Sequence, residues 1–132
     1  MTAPGTIQSP VLRGFFPDPS IWRVGDGYYI ANSTFEWFPG VTLSHSRDLV
    51  DWRLVGQALT RSSQPDMRGD PNSGGIWAPC LTHADGLFWL VHTDVRGWKG
   101  SFKDVRNFLV TSPSIEGPWF EPVFMDGVGF DA

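Results

Sequence analysis

One cysteine, Cys80, stands among 132 residues, so no disulfide can form within the chain. A small fold stapled by several bridges is excluded, and a reducing, cytoplasmic setting is the simple expectation. Long apolar runs are missing as well: no stretch approaches the roughly 20 residues that a membrane helix needs. Met1 is followed by Thr2-Ala3-Pro4-Gly5-Thr6, which lacks the basic and apolar regions of a secretory signal. Asn32-Ser33-Thr34 is therefore read as a chance match to a glycosylation acceptor. Positive charge is scarce. Ten Lys and Arg against 14 Asp and Glu give a net charge of −4 without a basic cluster, which argues against a nucleic-acid partner. No segment repeats apolar residues at helical spacing, so no helix is expected. His45, His83 and His92 lack metal-ligand spacing, and nothing calls for a metal or a cofactor.

What is abundant is aromatic. Phe, Trp and Tyr make up 14% of the chain, with 7 Trp and 10 Phe. Flat aromatic faces suit carbohydrate, but strands are rich in aromatics in any case, so composition leaves both readings open. Within this background Phe15-Phe16-Pro17-Asp18-Pro19-Ser20-Ile21 sets one carboxylate between two prolines. Each proline fixes a φ angle and removes a backbone donor, and Pro19 biases Asp18 towards extended geometry. The product is a stiff corner carrying an acid of fixed direction. An ordinary turn is the alternative.

The corner recurs. Ile76-Trp77-Ala78-Pro79-Cys80-Leu81 repeats its layout 60 positions on, and Gly129-Phe130-Asp131-Ala132 begins it again after a further 53. Gly25-Asp26-Gly27-Tyr28-Tyr29-Ile30 matches the stretch from Ala84 to Leu90, with Asp26-Gly27 and Asp85-Gly86 as hairpin turns. Leu43-Ser44-His45-Ser46 before Asp51-Trp52 matches Leu109-Val110-Thr111-Ser112 before Pro118-Trp119. A period in the fifties, with four strand-like runs per unit, predicts propeller blades. The runs are 21–24, 28–32, 41–46 and 52–59 in the first unit. In the second they are a strand opening at Leu81, then 87–93, 107–111 and 119–124. Residues 10–12 form a candidate edge segment, and 60–75 and 96–104 are long loops. The fold class is all-β: two blades of a β-propeller and the start of a third. An open ring leaves sheet edges unpaired, so residues 1–132 read as the N-terminal portion of a longer protein.

In a propeller the first residues of the innermost strands face the axis. Asp18 and Asp131 then converge from different blades, with Trp77 between them. Two acids and an aromatic wall suit glycoside hydrolysis. Together, Phe16-Pro17-Asp18-Pro19-Ser20-Ile21, the loop Ser33 to Gly40, His45-Ser46-Arg47-Asp48-Leu49, Gly74-Gly75-Ile76-Trp77-Ala78-Pro79 and Gly129-Phe130-Asp131 resemble glycoside hydrolase family 43, in particular its β-xylosidases. The resemblance runs from about Ser9 to the last residue. It implies a five-bladed propeller and hydrolysis with inversion. The implied substrate is a small xylooligosaccharide, from which an exo-acting β-1,4-xylosidase releases xylose. By position, Asp18 resembles the general base and Asp131 the aspartate that tunes the acid and orients substrate. Phe35 and Trp77 resemble walls of the xylose subsite. The family's general acid, a glutamate, lies on a later blade, and its β-sandwich domain follows the propeller. The resemblance leaves open α-L-arabinofuranosidase activity, a non-catalytic sugar-binding fragment and a homo-oligomer of the full-length protein. No cofactor and no membrane partner are expected.

Other acids and nucleophiles have plainer readings. Glu36 is expected at the rim or in a structural role. Cys80, with His83 and His92 nearby in sequence, suggests a thiol nucleophile, although a small buried residue on an inner strand fits better. Asp26 and Asp85 are turn residues. Asp66, Arg68 and Asp70 belong to a loop that is either solvated or shapes the pocket mouth.

Overall fold

Two-residue turns set the frame of each unit. Ala84 pairs with Leu87 across Asp85-Gly86, and both turn residues have positive φ, 53° and 75°, as the tight hairpin type requires. In the first unit Val24 pairs with Gly27, so the turn is Gly25-Asp26 rather than Asp26-Gly27. The sequence match between the two units was displaced there by one residue. Gly27 instead begins a strand, at a point where a Cβ would lie 3.0 Å from both the His45 ring and the Tyr29 hydroxyl.

The computed structural model describes residues 6–131. Its first sheet contains β1 (Ser20–Val24), β2 (Gly27–Asn32), β3 (Gly40–Ser46) and β4 (Arg53–Leu59), antiparallel and in sequence order. The second contains β5 (Gly75–Ile76), β6 (Cys80–Ala84), β7 (Leu87–Gly97), β8 (Asp104–Ser112) and β9 (Val123–Met125). β5 and β6 both pair with β7, end to end, so they are one inner strand interrupted at Trp77-Ala78-Pro79. Pro79 has no amide hydrogen with which to continue the ladder. The 60-residue offset is exact in register: Ser20 faces Ala31 in the first unit as Cys80 faces Val91 in the second. These are two consecutive four-stranded propeller blades, the second with its inner strand broken.

The second blade departs from expectation at its outer strands. β7 runs on to Gly97 and β8 begins at Asp104, so the expected 96–104 loop shrinks to residues 98–103. Trp119 to Pro122 is irregular and only 123–125 pairs, because the Phe120 amide is drawn back to the Thr111 carbonyl at 2.9 Å. Residues 10–12 join no strand. Among the described residues there is no helix, and so none long and apolar enough to cross a membrane.

The core lies between the blades. Ala31, Val41, Leu43, Ala58 and Leu59 of the first pack with Ile76, Leu81, Phe88, Leu90 and Val110 of the second. Ser20 Oγ accepts the Leu81 amide at 2.9 Å, which joins the two inner strands. Buried Gln64 donates to the Trp119 and Phe120 carbonyls, tying the long connection to the second blade's outer edge. Apolar burial supplies most of the stability of such an interface. The polar bonds fix the angle at which the blades meet.

Much of the tryptophan is structural. The indole N–H groups of Trp52 and Trp119 donate to the Leu49 and Ile115 carbonyls, closing equivalent turns in the two blades. Trp89 and Trp98 likewise donate to the Ala84 and Asn72 carbonyls.

Candidate active site

The aspartate corner is not extended. Asp18 has φ +49°, in the left-handed region that the following proline was expected to disfavour. Local bias loses to three long-range bonds. Asn32 Nδ2 donates to the Phe16 and Pro17 carbonyls at 3.0 and 2.9 Å, and the Ser33 amide donates to Pro17 at 3.2 Å. Ser33 Oγ then donates to Asp18 Oδ2 at 2.5 Å. Phe35 and Asp131 also have positive φ, 49° and 60°. Three of the four nominated residues therefore hold backbone conformations that L side chains adopt only at a cost of order 1–3 kcal/mol, a condition concentrated at functional sites.

Phe35 and Trp77 are brought together by an isolated bridge. The Phe35 and Ile76 amides each donate to the other's carbonyl at 2.9 Å. Trp77 follows Ile76, and its amide donates to the Thr93 carbonyl at 3.0 Å. Gly75 makes the approach possible: a Cβ there would sit 2.4 Å from the Phe35 carbonyl oxygen. The Trp77 ring meets Phe130 edge-on, with centroids 5.4 Å apart, and Phe130 precedes Asp131. Phe15, three residues before Asp18, lies 5.9 Å from the Phe35 ring.

Asp131 senses Asp18. Partial burial and then the Asp18 carboxylate raise the Asp131 pKa, since a like charge disfavours ionisation. Asp131 is placed by a second asparagine. Asn107 Nδ2 donates to the Gly127 and Gly129 carbonyls at 3.3 and 3.0 Å, while its Oδ1 accepts the Thr93 hydroxyl at 2.7 Å. The geometry is thus two carboxylates beside the aromatic residues Phe35 and Trp77. None of the four nominated residues lines the cleft of about 500 Å³ bordered by Phe38, Pro65, Met67 and Arg68. With two blades described, the axis has walls on one side only.

A family model for glycosyl hydrolases family 43 matches residues 7–132. The chain belongs to this family. It is 60% identical over 126 residues to a β-xylosidase of Bacillus subtilis (strain 168), which covers 96% of this chain and 24% of that protein. It is 59% identical over 125 residues to xylosidase/arabinosidase 43B of Humicola insolens, covering 95% and 23% respectively. The crystal structure of xylan β-1,4-xylosidase from Bacillus halodurans C-125 superposes with a TM-score of 0.93 at 63% identity, covering 96% of this chain and 24% of that one. The chain spans about a quarter of the length of these family 43 relatives.

The remaining candidates resolve separately in this family 43 chain. Cys80 is half-buried on β6. His92 is fully buried and stacked on Phe108, its ring nitrogens free of partners, and His83 packs on Phe88. No thiol–imidazole pair forms among these residues. Asp66 takes two bonds from Arg68, whose guanidinium draws its pKa down to about 2.

Asp70 is not solvated. Both its carboxyl oxygens are buried without a donor, as is Asp94 Oδ1, while Asp94 Oδ2 accepts Arg96 Nε at 3.1 Å. Two facing acceptors need a proton between them. Burial first, and then the Asp94 carboxylate, push Asp70 up to about 6. Sequence reasoning missed Asp94, Asn32 and Asn107. The only available signal was their polar character within otherwise apolar strands.

Proposed function

We propose that the protein carrying this chain is an inverting glycoside hydrolase that removes xylose from the ends of short β-1,4-xylooligosaccharides. The observation that carries the reading is the meeting of Asp18, held by Ser33, with Asp131 from another blade, beside Phe35 and Trp77. Family membership and the xylosidase names of the relatives support it.

In this reading Asp18 is the general base. It takes a proton from water as the water oxygen bonds to the anomeric carbon, on the face opposite the departing oxygen. The bond to the leaving oxygen breaks and that oxygen receives a proton from the general acid, the glutamate that the family resemblance places on a later blade. Asp131 raises the acid's proton affinity by its own charge and orients the sugar. Phe35 and Trp77 offer apolar faces to the sugar's C–H surface. The substrate is a small saccharide rather than nucleic acid or membrane, and a cytoplasmic location belongs to the same reading, checked by cell fractionation.

A second reading is α-L-arabinofuranosidase activity, favoured by the Humicola insolens relative's name. The full-length protein should be assayed on aryl β-D-xyloside and aryl α-L-arabinofuranoside, with NMR following the first anomer released. Faster xyloside cleavage giving α-xylose first, abolished in Asp18→Asn, supports the proposal. Faster arabinoside cleavage selects the second reading. Sugar binding without turnover of either identifies a non-catalytic module.

A further inference from the structure

Glu36 joins the two aromatic walls without belonging to either. Its Oε2 accepts the Ser73 amide at 3.1 Å, and the Ser73 carbonyl accepts the Trp77 indole N–H at 2.9 Å. Glu36 also follows Phe35 in the chain. Two routes therefore connect Phe35 with Trp77. The backbone bridge between Phe35 and Ile76 fixes where the two segments lie. It leaves the indole free to turn about its side-chain torsions. The route through Glu36 and Ser73 sets that rotation, because the indole has a single N–H and the Ser73 carbonyl is its acceptor.

The acceptor needs an external hold. Ser73 is exposed and sits at φ +61°, a conformation that serine adopts only under constraint. The two residues after it are closely packed. A Cβ on Gly74 would come within 2.6 Å of the Val95 carbonyl, and one on Gly75 within 2.4 Å of the Phe35 carbonyl. With that side closed, the position of Ser73 depends on the peptide before it: the Asn72 carbonyl accepts the Trp98 indole N–H at 3.2 Å, and the Ser73 amide makes a charge-assisted bond to the half-buried Glu36 carboxylate.

We propose that Glu36 is a positioning residue for substrate: through Ser73 it holds the Trp77 indole in the orientation that receives the sugar. The proposal rests on the reading of Trp77 as a sugar wall. Glu36 needs no contact with the substrate and no proton to give, so its effect falls on KM rather than on the chemical step.

The test uses the full-length protein and an aryl β-D-xyloside. Glu36→Ala should raise KM about tenfold, the size of one charge-assisted bond, with kcat changed less than about twofold. Glu36→Gln keeps an oxygen that accepts the Ser73 amide and should return KM to within about threefold of the parent. Glu36→Met, of similar length but without an acceptor, should match Glu36→Ala; it carries the test if the alanine variant does not fold. In a Trp77→Ala background, Glu36→Ala should add less than about a twofold change in KM, because the two residues act as one unit. An unchanged KM in both Glu36→Ala and Glu36→Met, or a Glu36→Gln as impaired as Glu36→Met, overturns the proposal, as does a full additional loss in the Trp77→Ala background. If Trp77→Ala alone leaves KM unchanged, the sugar-wall reading fails and the proposal with it. If Trp77→Ala raises KM while the Glu36 variants do not, only the relay fails.

Discussion

Ser33 donates its hydroxyl to Asp18 at 2.5 Å, from the residue just beyond β2 to the corner just before β1. The bond uses one lone pair of Asp18 Oδ2; in the proposed reading the other oxygen is the one that faces the attacking water. Asp18→Asn replaces the acceptor with a neutral amide that cannot take a proton. It should cost about 100- to 10,000-fold in kcat on the full-length protein. Ser33→Ala leaves the Asp18 carboxylate present but free to turn, so kcat should fall only about tenfold, the worth of one bond to a charged group. Steady-state kinetics with an aryl xyloside check both. A Ser33→Ala loss as large as that of Asp18→Asn would mean that Ser33 takes part in the chemistry itself.

Asn32 and Asn107 do equivalent work for the two aspartates. Each amide nitrogen grips two carbonyls just ahead of its aspartate: Phe16 and Pro17 before Asp18, Gly127 and Gly129 before Asp131. Asn32→Asp and Asn107→Asp keep shape but turn two donors into acceptors facing carbonyls. Both should lower kcat by at least about tenfold. The Asn107 variant should also lose the pH dependence that Asp131 imparts, since the carboxyl is no longer held near Asp18. A pH–rate profile unchanged in shape for Asn107→Asp would count against the clamp.

The architecture was legible because it repeats. Asp85-Gly86, the turns closed by Trp52 and Trp119 and the proline corners are local signals, and local signals survive in sequence. The site was legible only at its tips. Asp18 announced itself by two prolines, yet its left-handed backbone was not readable, because it is imposed by Asn32 and Ser33 from 14 or so residues away. Asp70 looked like one more loop acid. Its partner, Asp94, is brought to it by the fold of the 60–75 connection over β7, a contact no spacing encodes. The turn at Gly25-Asp26 was misplaced by one residue because Gly27 offers an equally good turn pair, and only the packing of Tyr29 and His45 around Gly27 decides between them.

Two buried groups make stability depend on pH in opposite directions. Burial lowers the His92 pKa from 6.5 to about 4. The unfolded chain then takes up the proton first as the pH falls. The contribution is fully present above about pH 6.5 and drains away towards pH 4, about 3 kcal/mol in all. Asp70 is the reverse case. Burial and Asp94 raise it from 3.8 to about 6, so its contribution is present below about pH 3.8 and is lost as the pH rises towards 6. Urea midpoints of the full-length protein should separate the two. Relative to the parent, His92→Leu should gain stability between pH 7 and 4.5. Asp70→Asn should gain it between pH 4.5 and 7.5. Differences that do not vary with pH would show that neither group carries a shifted proton.

Residues 1–132 expressed alone should not cleave xylobiose above background. Inversion needs a base on one face of the sugar and an acid on the other. In the proposed reading Asp18 supplies the base; Glu36 is engaged with Ser73, Glu121 with Arg61, Glu116 is exposed in the turn after β8, and the resemblance puts the acid on a later blade. The walls are incomplete as well, and open water around the site weakens the electrostatic help its dipoles can give. The same isolated chain should self-associate. Val123, Phe124 and Met125 on β9 are all exposed, as are Ile21 and Trp22 on β1 and Leu54 on β4, and unpaired apolar edges template further pairing. Light scattering should show mass rising with concentration, and an aryl xyloside, whose good leaving group needs less help from an acid, is the stricter activity assay. Cleavage of xylobiose by a pure monomer of these 132 residues, abolished by Asp18→Asn, would place the acid within them and overturn the assignment to a later blade.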